Sequence, residues 1–102
     1  MSGKTLFINF TFNISAEEYV EAVSALANDF AAVAGMRWKV WTINEAEKEA
    51  GGIYLFDDAA SLQDFLAGPL VAAVTNHPAL SDFTVKQFDV MEEATATTRG
   101  PV

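Results

Sequence analysis

The stretch MRWKVWTINEAEKEAGGIYLFD, residues 36–57, decides the fold, because a short polar segment in it separates two apolar ones. Met36 to Ile43 is rich in aromatic and β-branched residues, which favour a strand. Asn44 to Ala50 is polar and predicts a turn, and Gly52 to Asp57 predicts a second, short aromatic strand. Two strands joined by a short polar link usually pair as an antiparallel hairpin, and we expect a hairpin here.

The residues before this hairpin predict one strand and one helix. Thr5 to Phe12 alternates with period two, as a half-buried strand does. One of its faces is wholly apolar and consists of Leu6, Ile8, Phe10 and Phe12. Ser15 and Glu18 have the spacing of a capping box, which predicts a helix from there to about Ala34. Gly35 follows where a helix commonly ends in glycine.

The residues after the hairpin predict a second helical region and a last strand. Asp57-Asp58 can cap a helix of about Ala59 to Ala67, and a second piece runs from Pro69 to about Asn76. Phe83 to Val90 is the last strand. The order strand, helix, strand, strand, helix, strand predicts an α+β, ferredoxin-like fold with an antiparallel sheet and helices on one face.

Helices on one face leave the other face of the sheet open. We expect Phe7, Trp41 and Ile43 on that open face, and Trp38 between the sheet and the helices. An exposed face with these side chains is too apolar to remain in water. We therefore expect two chains to pack these faces together, with an ordinary interface of about 800 Å² per partner.

The composition fixes the size and limits the partners. The chain has 102 residues, which suits one domain over residues 1–91, with a flexible tail over residues 92–102. Fourteen acidic and six basic residues give a net charge of −8, which disfavours nucleic acid and anionic membranes as partners. The longest apolar run falls far short of the roughly 20 residues of a membrane helix, and no signal-peptide core is evident. These patterns predict a cytoplasmic protein.

The residue types exclude most cofactor chemistry. The chain has no cysteine, which excludes disulfides, thiolate zinc sites and cysteine nucleophiles. One histidine, His77, is too few for zinc hydrolase or two-histidine iron sites, so we expect no metal site. No nucleotide-binding glycine motif is present, and we expect no cofactor. His77 suits a helix end, but it could also be a general base, a hydrogen-bond donor to substrate or a haem ligand.

A few further side chains have both a structural and a functional interpretation. Trp38 and Tyr54 suit packing, but they could also line a pocket for an aromatic ligand. Asn9 could form hydrogen bonds across the interface of a dimer, or it could orient a substrate carbonyl or hydroxyl. Arg37 and Lys39 could pair with local acidic residues of the hairpin, or they could attract an anionic or enolate-like ligand.

Two sequence motifs resemble a known family. The segments Trp38-Lys39-Val40-Trp41-Thr42 and Glu49-Ala50-Gly51-Gly52-Ile53-Tyr54-Leu55-Phe56 resemble those of YdhR-type monooxygenases. Phe10-Thr11-Phe12-Asn13 and Phe88-Asp89-Val90 fit the same family, so the resemblance spans about Thr5 to Val90. It implies a dimeric α+β barrel of ferredoxin-like chains, related to the antibiotic-biosynthesis monooxygenases.

The resemblance also implies a type of chemistry. In the better understood relatives, oxygenation needs neither metal nor flavin, because a deprotonated phenolic substrate itself reduces oxygen. The first hypothesis is therefore a cofactor-independent monooxygenase acting on a small aromatic or polyketide-like molecule. Its pocket walls would be Trp38, Tyr54 and Phe88, and its catalytic polar groups would be Asn9 and His77. The alternatives are a non-catalytic dimer that binds a small apolar ligand and, less favoured, a haem-binding or haem-degrading protein.

Overall fold

The computed structural model of this protein describes residues 3–102, so the first two residues of the predicted domain lie outside it. The elements, in chain order, are β1 (Lys4–Phe12), α1 (Ala16–Ser24), α2 (Ala27–Ala31), β2 (Met36–Asn44), β3 (Glu49–Phe56), α3 (Ala59–Leu66), α4 (Pro69–Thr75), β4 (Leu80–Asp89) and α5 (Glu92–Thr97). No helix of this described range is long and apolar enough to cross a membrane.

The four strands form one antiparallel sheet in the order β2-β3-β1-β4. This topology is ferredoxin-like and confirms the predicted fold, including the hairpin of β2 and β3. The apolar side of β1 packs against the helices and lies at the centre of the core. The residues of that side are Leu6, Ile8, Phe10 and Phe12, all of them buried.

The boundaries of the helices follow local capping chemistry. The Ser15 side chain accepts a hydrogen bond from the Glu18 amide, and Glu18 reciprocates, so the predicted capping box of α1 is confirmed. Asp58 caps α3, and Pro69 is the first residue of α4. Gly35 has a φ of 78°, a left-handed conformation that glycine adopts without strain.

The single long helix predicted from Ser15 to Ala34 is wrong in one respect. The chain forms two helices, because α1 ends at Ser24. The Leu26 amide donates to the Val23 carbonyl, three residues back, at 2.9 Å, which tightens the turn between α1 and α2.

A bulge in β2 reverses the predicted placement of the two tryptophans. The register of β2 against β3 shifts between Met36 and Trp38, so strict alternation fails there. Beyond the shift, Lys39 lies opposite Tyr54, which belongs to the core under the helices. Lys39, Trp41 and Ile43 therefore face the helices, and Trp38 faces the open side, so the predicted faces of Trp38, Trp41 and Ile43 are wrong.

The open face of the sheet exposes large apolar side chains. Phe7, Phe88 and Val40 are 42%, 50% and 51% exposed, and the Phe7 and Phe88 rings meet edge to face at 5.4 Å between centroids. The predicted position of Phe7 on this face is confirmed, because Phe7 alternates with the buried residues of β1.

The C-terminal residues approach the same open face. The indole nitrogen of Trp38 donates to the Pro101 carbonyl at 2.8 Å, and Val90 packs beside Gly3. The short helix α5 within residues 92–102 was not expected from the sequence. The flexibility of this tail stays a prediction.

Candidate functional site

A cavity of about 320 Å³ lies between the helices and the helix-facing side of the sheet. All four strands and helices α1 to α4 contribute to its walls. The walls are mostly apolar, and six aromatic rings line them: Phe10, Tyr19, Phe30, Trp41, Tyr54 and Phe65. The rings of Phe30 and Trp41 meet at 5.1 Å, and those of Tyr54 and Phe65 at 5.2 Å. Such a cavity suits a flat apolar ligand.

One charged side chain, Lys39, enters this apolar cavity from β2. Its Nζ lies 3.3 Å from the ring centroid of Trp41, 3.7 Å from that of Phe30 and 4.7 Å from that of Tyr54. No Asp or Glu side chain within residues 3–102 lines the cavity or forms an ion pair with this amine. The amine is therefore surrounded by ring faces rather than by carboxylates.

The surroundings of Lys39 act on its protonation in opposite directions. Burial disfavours the ammonium form and lowers the pKa of Lys39 to about 7. Attraction of an ammonium to ring faces, on the order of 0.5–2 kcal/mol, favours the charged form. Near neutral pH the amine can therefore either accept a proton or hold one.

A glycine on β3 makes room for the lysine. A Cβ built on Gly52 would lie 2.6 Å from Cε of Lys39 and 3.1 Å from the Tyr54 ring. The φ of Gly52 is outside the left-handed region, so any residue could adopt its backbone conformation. Glycine at this position therefore leaves room for the Lys39 side chain and the Tyr54 ring, and it is not required by the backbone conformation.

Two tyrosines of the same cavity supply hydroxyl groups, and the ring of one of them, Tyr54, lies beside the lysine. Tyr19 and Tyr54 are both largely buried and both line the cavity. Burial raises the pKa of Tyr19 to about 12, and burial together with the neighbouring Tyr19 raises the pKa of Tyr54. Both hydroxyls stay protonated at neutral pH and can donate a hydrogen bond to a ligand oxygen.

His77 follows α4 and lines the cavity. Its Nδ1 accepts a hydrogen bond from the Ala79 amide at 3.1 Å, so the ring proton is assigned to Nε2. Nε2 is then a donor and offers no lone pair. Of the roles considered from the sequence, this geometry favours a hydrogen bond to a ligand oxygen over proton abstraction or iron ligation.

The predicted site residues divide between the two faces of the sheet. Tyr54 and His77 line the cavity. Asn9, Trp38 and Phe88 do not, and they lie on the open face: Trp38 because of the bulge, and Phe88 because it pairs with the outward-facing part of β1. The expected position of Trp38 as a cavity wall is therefore wrong for this cavity, and the roles of Asn9 and Phe88 in catalysis and substrate binding stay predictions.

One of the two basic residues of β2 pairs with a local acidic residue, as one interpretation of the sequence allowed. Arg37 donates to Asp57, at the end of the hairpin, at 2.5 Å. Lys39 instead enters the cavity, where the second interpretation from the sequence, attraction of an anionic or enolate-like ligand, stays a prediction. Sequence reasoning missed Trp41 as a residue of this cavity. The available signal was a lysine alternating with Trp41 on a strand whose hairpin partner contains Gly52.

The acidic residues and His77 are dispersed. Within the range 3–102, no three His, Cys, Asp or Glu side chains come close enough to hold a metal ion. Asn9 donates to Glu49 at 3.5 Å on the open face, which leaves its amide outside the cavity.

Several solved structures have the same fold. SnoaB, a cofactor-independent oxygenase from Streptomyces nogalater, is 19% identical with a TM-score of 0.72, over 90% of this chain and 96% of that one. A dimeric ferredoxin-like protein from Thermobifida fusca is 15% identical with a TM-score of 0.68, over 87% and 92%. A mutant of MhuD with two manganese protoporphyrin IX molecules per active site is 16% identical with a TM-score of 0.65, over 86% and 94%.

At these identities the structural likeness shows the shared fold. A comparison with curated proteins finds no match. The sequence itself matches the family described as "Putative mono-oxygenase ydhR" over residues 5–101, nearly its whole length. This agrees with the resemblance of the hairpin motifs and with the ferredoxin-like sheet, and the chain belongs to that family.

Proposed function

We propose that this chain is a cofactor-independent monooxygenase that oxidises a small aromatic or polyketide-like compound in the cavity between the sheet and the helices. The observation that carries the proposal is the cavity itself, an aromatic-lined space with few polar groups in a chain of a mono-oxygenase family. The shared fold with SnoaB, described as a cofactor-independent oxygenase, supports the absence of a cofactor.

The chemistry balances without an external reductant. An enolisable aromatic ketone with a ring CH₂ loses a proton and becomes an electron-rich anion. That anion reduces O₂; one oxygen atom becomes a carbonyl on the same carbon, and the other leaves as water with the two hydrogens. The substrate supplies all four electrons, and the protein binds it, stabilises the anion and excludes water.

The donors of the cavity suit an anionic oxygen. His77 can donate from Nε2, and the hydroxyls of Tyr19 and Tyr54 remain protonated. Preorganised donors stabilise developing charge more strongly than water does, and the effect is largest where water is excluded, as around the buried Tyr19 and Tyr54. We assign Tyr54 to substrate binding and His77 to anion stabilisation.

We also propose a homodimer built on the open face. Phe7, Val40 and Phe88 present exposed apolar surface there, and Asn9 and Trp38 lie on the same face. The Thermobifida protein of the same fold is described as dimeric. In this arrangement Asn9 forms hydrogen bonds across the interface, and Trp38 and Phe88 contact the partner or a substrate that extends to it.

The charge and composition support the same assignment of partners and compartment. A net charge of −8 favours a small-molecule ligand over nucleic acid or an anionic membrane surface. A chain without cysteine needs no oxidising compartment, which supports a cytoplasmic enzyme.

The test is oxygen uptake by chelator-treated protein with a two-ring phenol whose keto form has a ring CH₂, such as 1-naphthol, which takes up one oxygen atom from O₂ and releases the other as water. We expect consumption above the rate without protein, and one atom from labelled O₂ in the product. His77→Ala should lower the rate on the order of tenfold or more, as loss of a donor to developing charge does. Asn9→Ala tests the predicted catalytic role of Asn9, and a rate equal to that of wild type would remove that role. Lys86→Met, at an exposed lysine outside the cavity, is the matched control and should retain the rate.

Two outcomes would favour the alternatives. A tightly bound ligand with no oxygen uptake from any phenol would indicate a non-catalytic binding protein. A Soret band that appears with added haem and is lost in His77→Ala would indicate a haem protein. The fold shared with MhuD supports this alternative. The hydrogen bond at Nδ1 of His77 argues against that outcome.

A further inference from the structure

We propose that the Lys39 amine is the proton acceptor and counter-ion of the cavity, and that the ligand is a phenol or enol with an acidic hydroxyl group. The inference deepens the proposed function, since it relies on the same cavity as the ligand site. It adds a residue with a catalytic role, the proton acceptor for the phenolic class of substrate that the family resemblance implies, and it concerns the proton and not the oxygen chemistry.

The first argument is that the amine has no protein partner of opposite charge. Lys39 is the only Lys or Arg among the residues that line the cavity, within the described part of the chain. The chain has 14 acidic residues, yet both ion pairs in residues 3–102 involve other bases, namely Lys4 with Asp89 and Arg37 with Asp57. Partial removal of an amine from water without a carboxylate nearby is costly unless a ligand supplies the negative charge.

The second argument is the size and lining of the space in front of the amine. A cavity of about 320 Å³ is at the small end of ligand pockets, which suits a ligand of one or two rings. Trp41, Phe30 and Tyr54 surround the amine with ring faces, so an aromatic ligand can stack while its oxygen reaches Nζ. Gly52 keeps the path of the lysine open.

The third argument concerns protonation. An amine that titrates near neutral pH can take a proton from a weak acid, and an ordinary exposed lysine cannot. A neutral apolar ligand would leave the ammonium form without a partner. A carboxylic acid is already ionised at neutral pH and needs no base. A phenol or enol can give its proton to the lone pair of the neutral Lys39 amine. The resulting anion then pairs with the ammonium group that has formed.

The step is a simple proton transfer. The ligand O–H bond breaks, an N–H bond forms at Nζ, and an ammonium–phenolate pair results with no change of oxidation state. The hydroxyls of Tyr19 and Tyr54 and Nε2 of His77 lie around the same cavity and can donate to the phenolate oxygen. The product is the electron-rich anion that the proposed oxygenation starts from.

The test uses 4-nitrophenol, whose phenolate absorbs visible light and whose phenol does not. Wild-type protein and probe are mixed without oxygen, and the spectrum is recorded across a pH titration. We expect the pKa of the bound probe to fall by about one unit or more below that of the free probe, because a cation lies beside it. That shift is about a tenfold rise in the ratio of phenolate to phenol.

The variant Lys39→Met should reverse the sign of the shift. An apolar cavity without the amine favours the neutral phenol, so the bound probe should ionise at a higher pH than the free one. Lys86→Met, an exposed lysine outside the cavity, is the matched control and should behave as wild type. Circular dichroism of each variant establishes that it is folded.

The spectrum of the wild-type protein tests the inference by itself, even if Lys39→Met does not fold. A probe that binds wild type as the neutral phenol would overturn the inference, and so would the absence of saturable binding by 4-nitrophenol and by 2-naphthol. Equal probe pKa values in wild type and Lys39→Met would also overturn it.

The two proposals fail separately. If the probe binds as phenolate but no phenol supports oxygen uptake, the role of Lys39 stands and the monooxygenase proposal falls. If Lys39→Met retains wild-type oxygen uptake, the monooxygenase stands and Lys39 is not its base.

Discussion

At the scale of single residues, Lys39 makes stability depend on pH. Its folded pKa of about 7 lies below its unfolded value of about 10.5, so the unfolded chain binds more protons between these values. The destabilisation by Lys39 is therefore complete below about pH 7 and disappears as the pH rises to about 10.5. Lys39→Met should stabilise the fold by about 2 kcal/mol at neutral pH, an amount reduced by partial exposure and ring contacts.

Urea denaturation of wild type and Lys39→Met across this pH range measures that difference. The difference between the two proteins should shrink steadily toward alkaline pH, while ionisation of Tyr19 and Tyr54 affects both alike. Lys86→Met serves as the control and should show no such trend. A Lys39→Met effect that is constant with pH would mean that the amine is not desolvated in the folded chain.

At the scale of the elements, the bulge in β2 decides which tryptophan meets a ligand. Trp41 lines the cavity and Trp38 does not, so the two residues form a matched pair. Trp41→Leu should weaken binding of 4-nitrophenol about three- to tenfold, as expected for losing one aromatic contact. Trp38→Leu should leave the affinity unchanged, and absorbance titration of both variants at one pH measures it. The opposite ranking would place the ligand on the open face.

The same bulge marks the limit of sequence-based prediction here. Capping residues and period-two alternation determine the order of the elements, and these patterns are local and visible in the sequence. A single unpaired residue at Arg37 leaves no comparable pattern, because the alternation on each side of it remains regular. The positions of Trp38 and Lys39 therefore could not be assigned to the correct face, although the residues themselves stood out.

Some helix boundaries could likewise be predicted from the sequence and others could not. Gly35 follows the end of one helical region and Pro69 begins α4, because each residue type has a fixed backbone preference. Both boundaries could therefore be predicted from the sequence. The break after Ser24 could not, since the residues around it are ordinary helix formers held by one tighter hydrogen bond. The cavity depends on how the helices after such breaks lie over the sheet, which is tertiary packing and not local sequence.

At the scale of the whole molecule, the open face predicts the oligomeric state. Phe7→Asp places a charge among exposed apolar side chains and should convert a dimer of about 22 kDa, twice 11.0 kDa, into a monomer. Val20→Asp changes a similarly exposed residue on α1 and should leave the dimer intact. Native mass spectrometry and light scattering report both results. A wild-type monomer in dilute solution would contradict the barrel arrangement.

The strand order also affects how the chain reaches this structure. β1 is one of the two inner strands, and its neighbours are β3 and β4, so Lys4 pairs with Phe56 and with Asp89. During synthesis β1 emerges first, and its second edge stays uncovered until nearly the whole chain has followed. Such long-range pairing slows folding and leaves an apolar strand open to other chains meanwhile. The yield of soluble protein should therefore depend more on the temperature and rate of synthesis than the small size of the chain suggests.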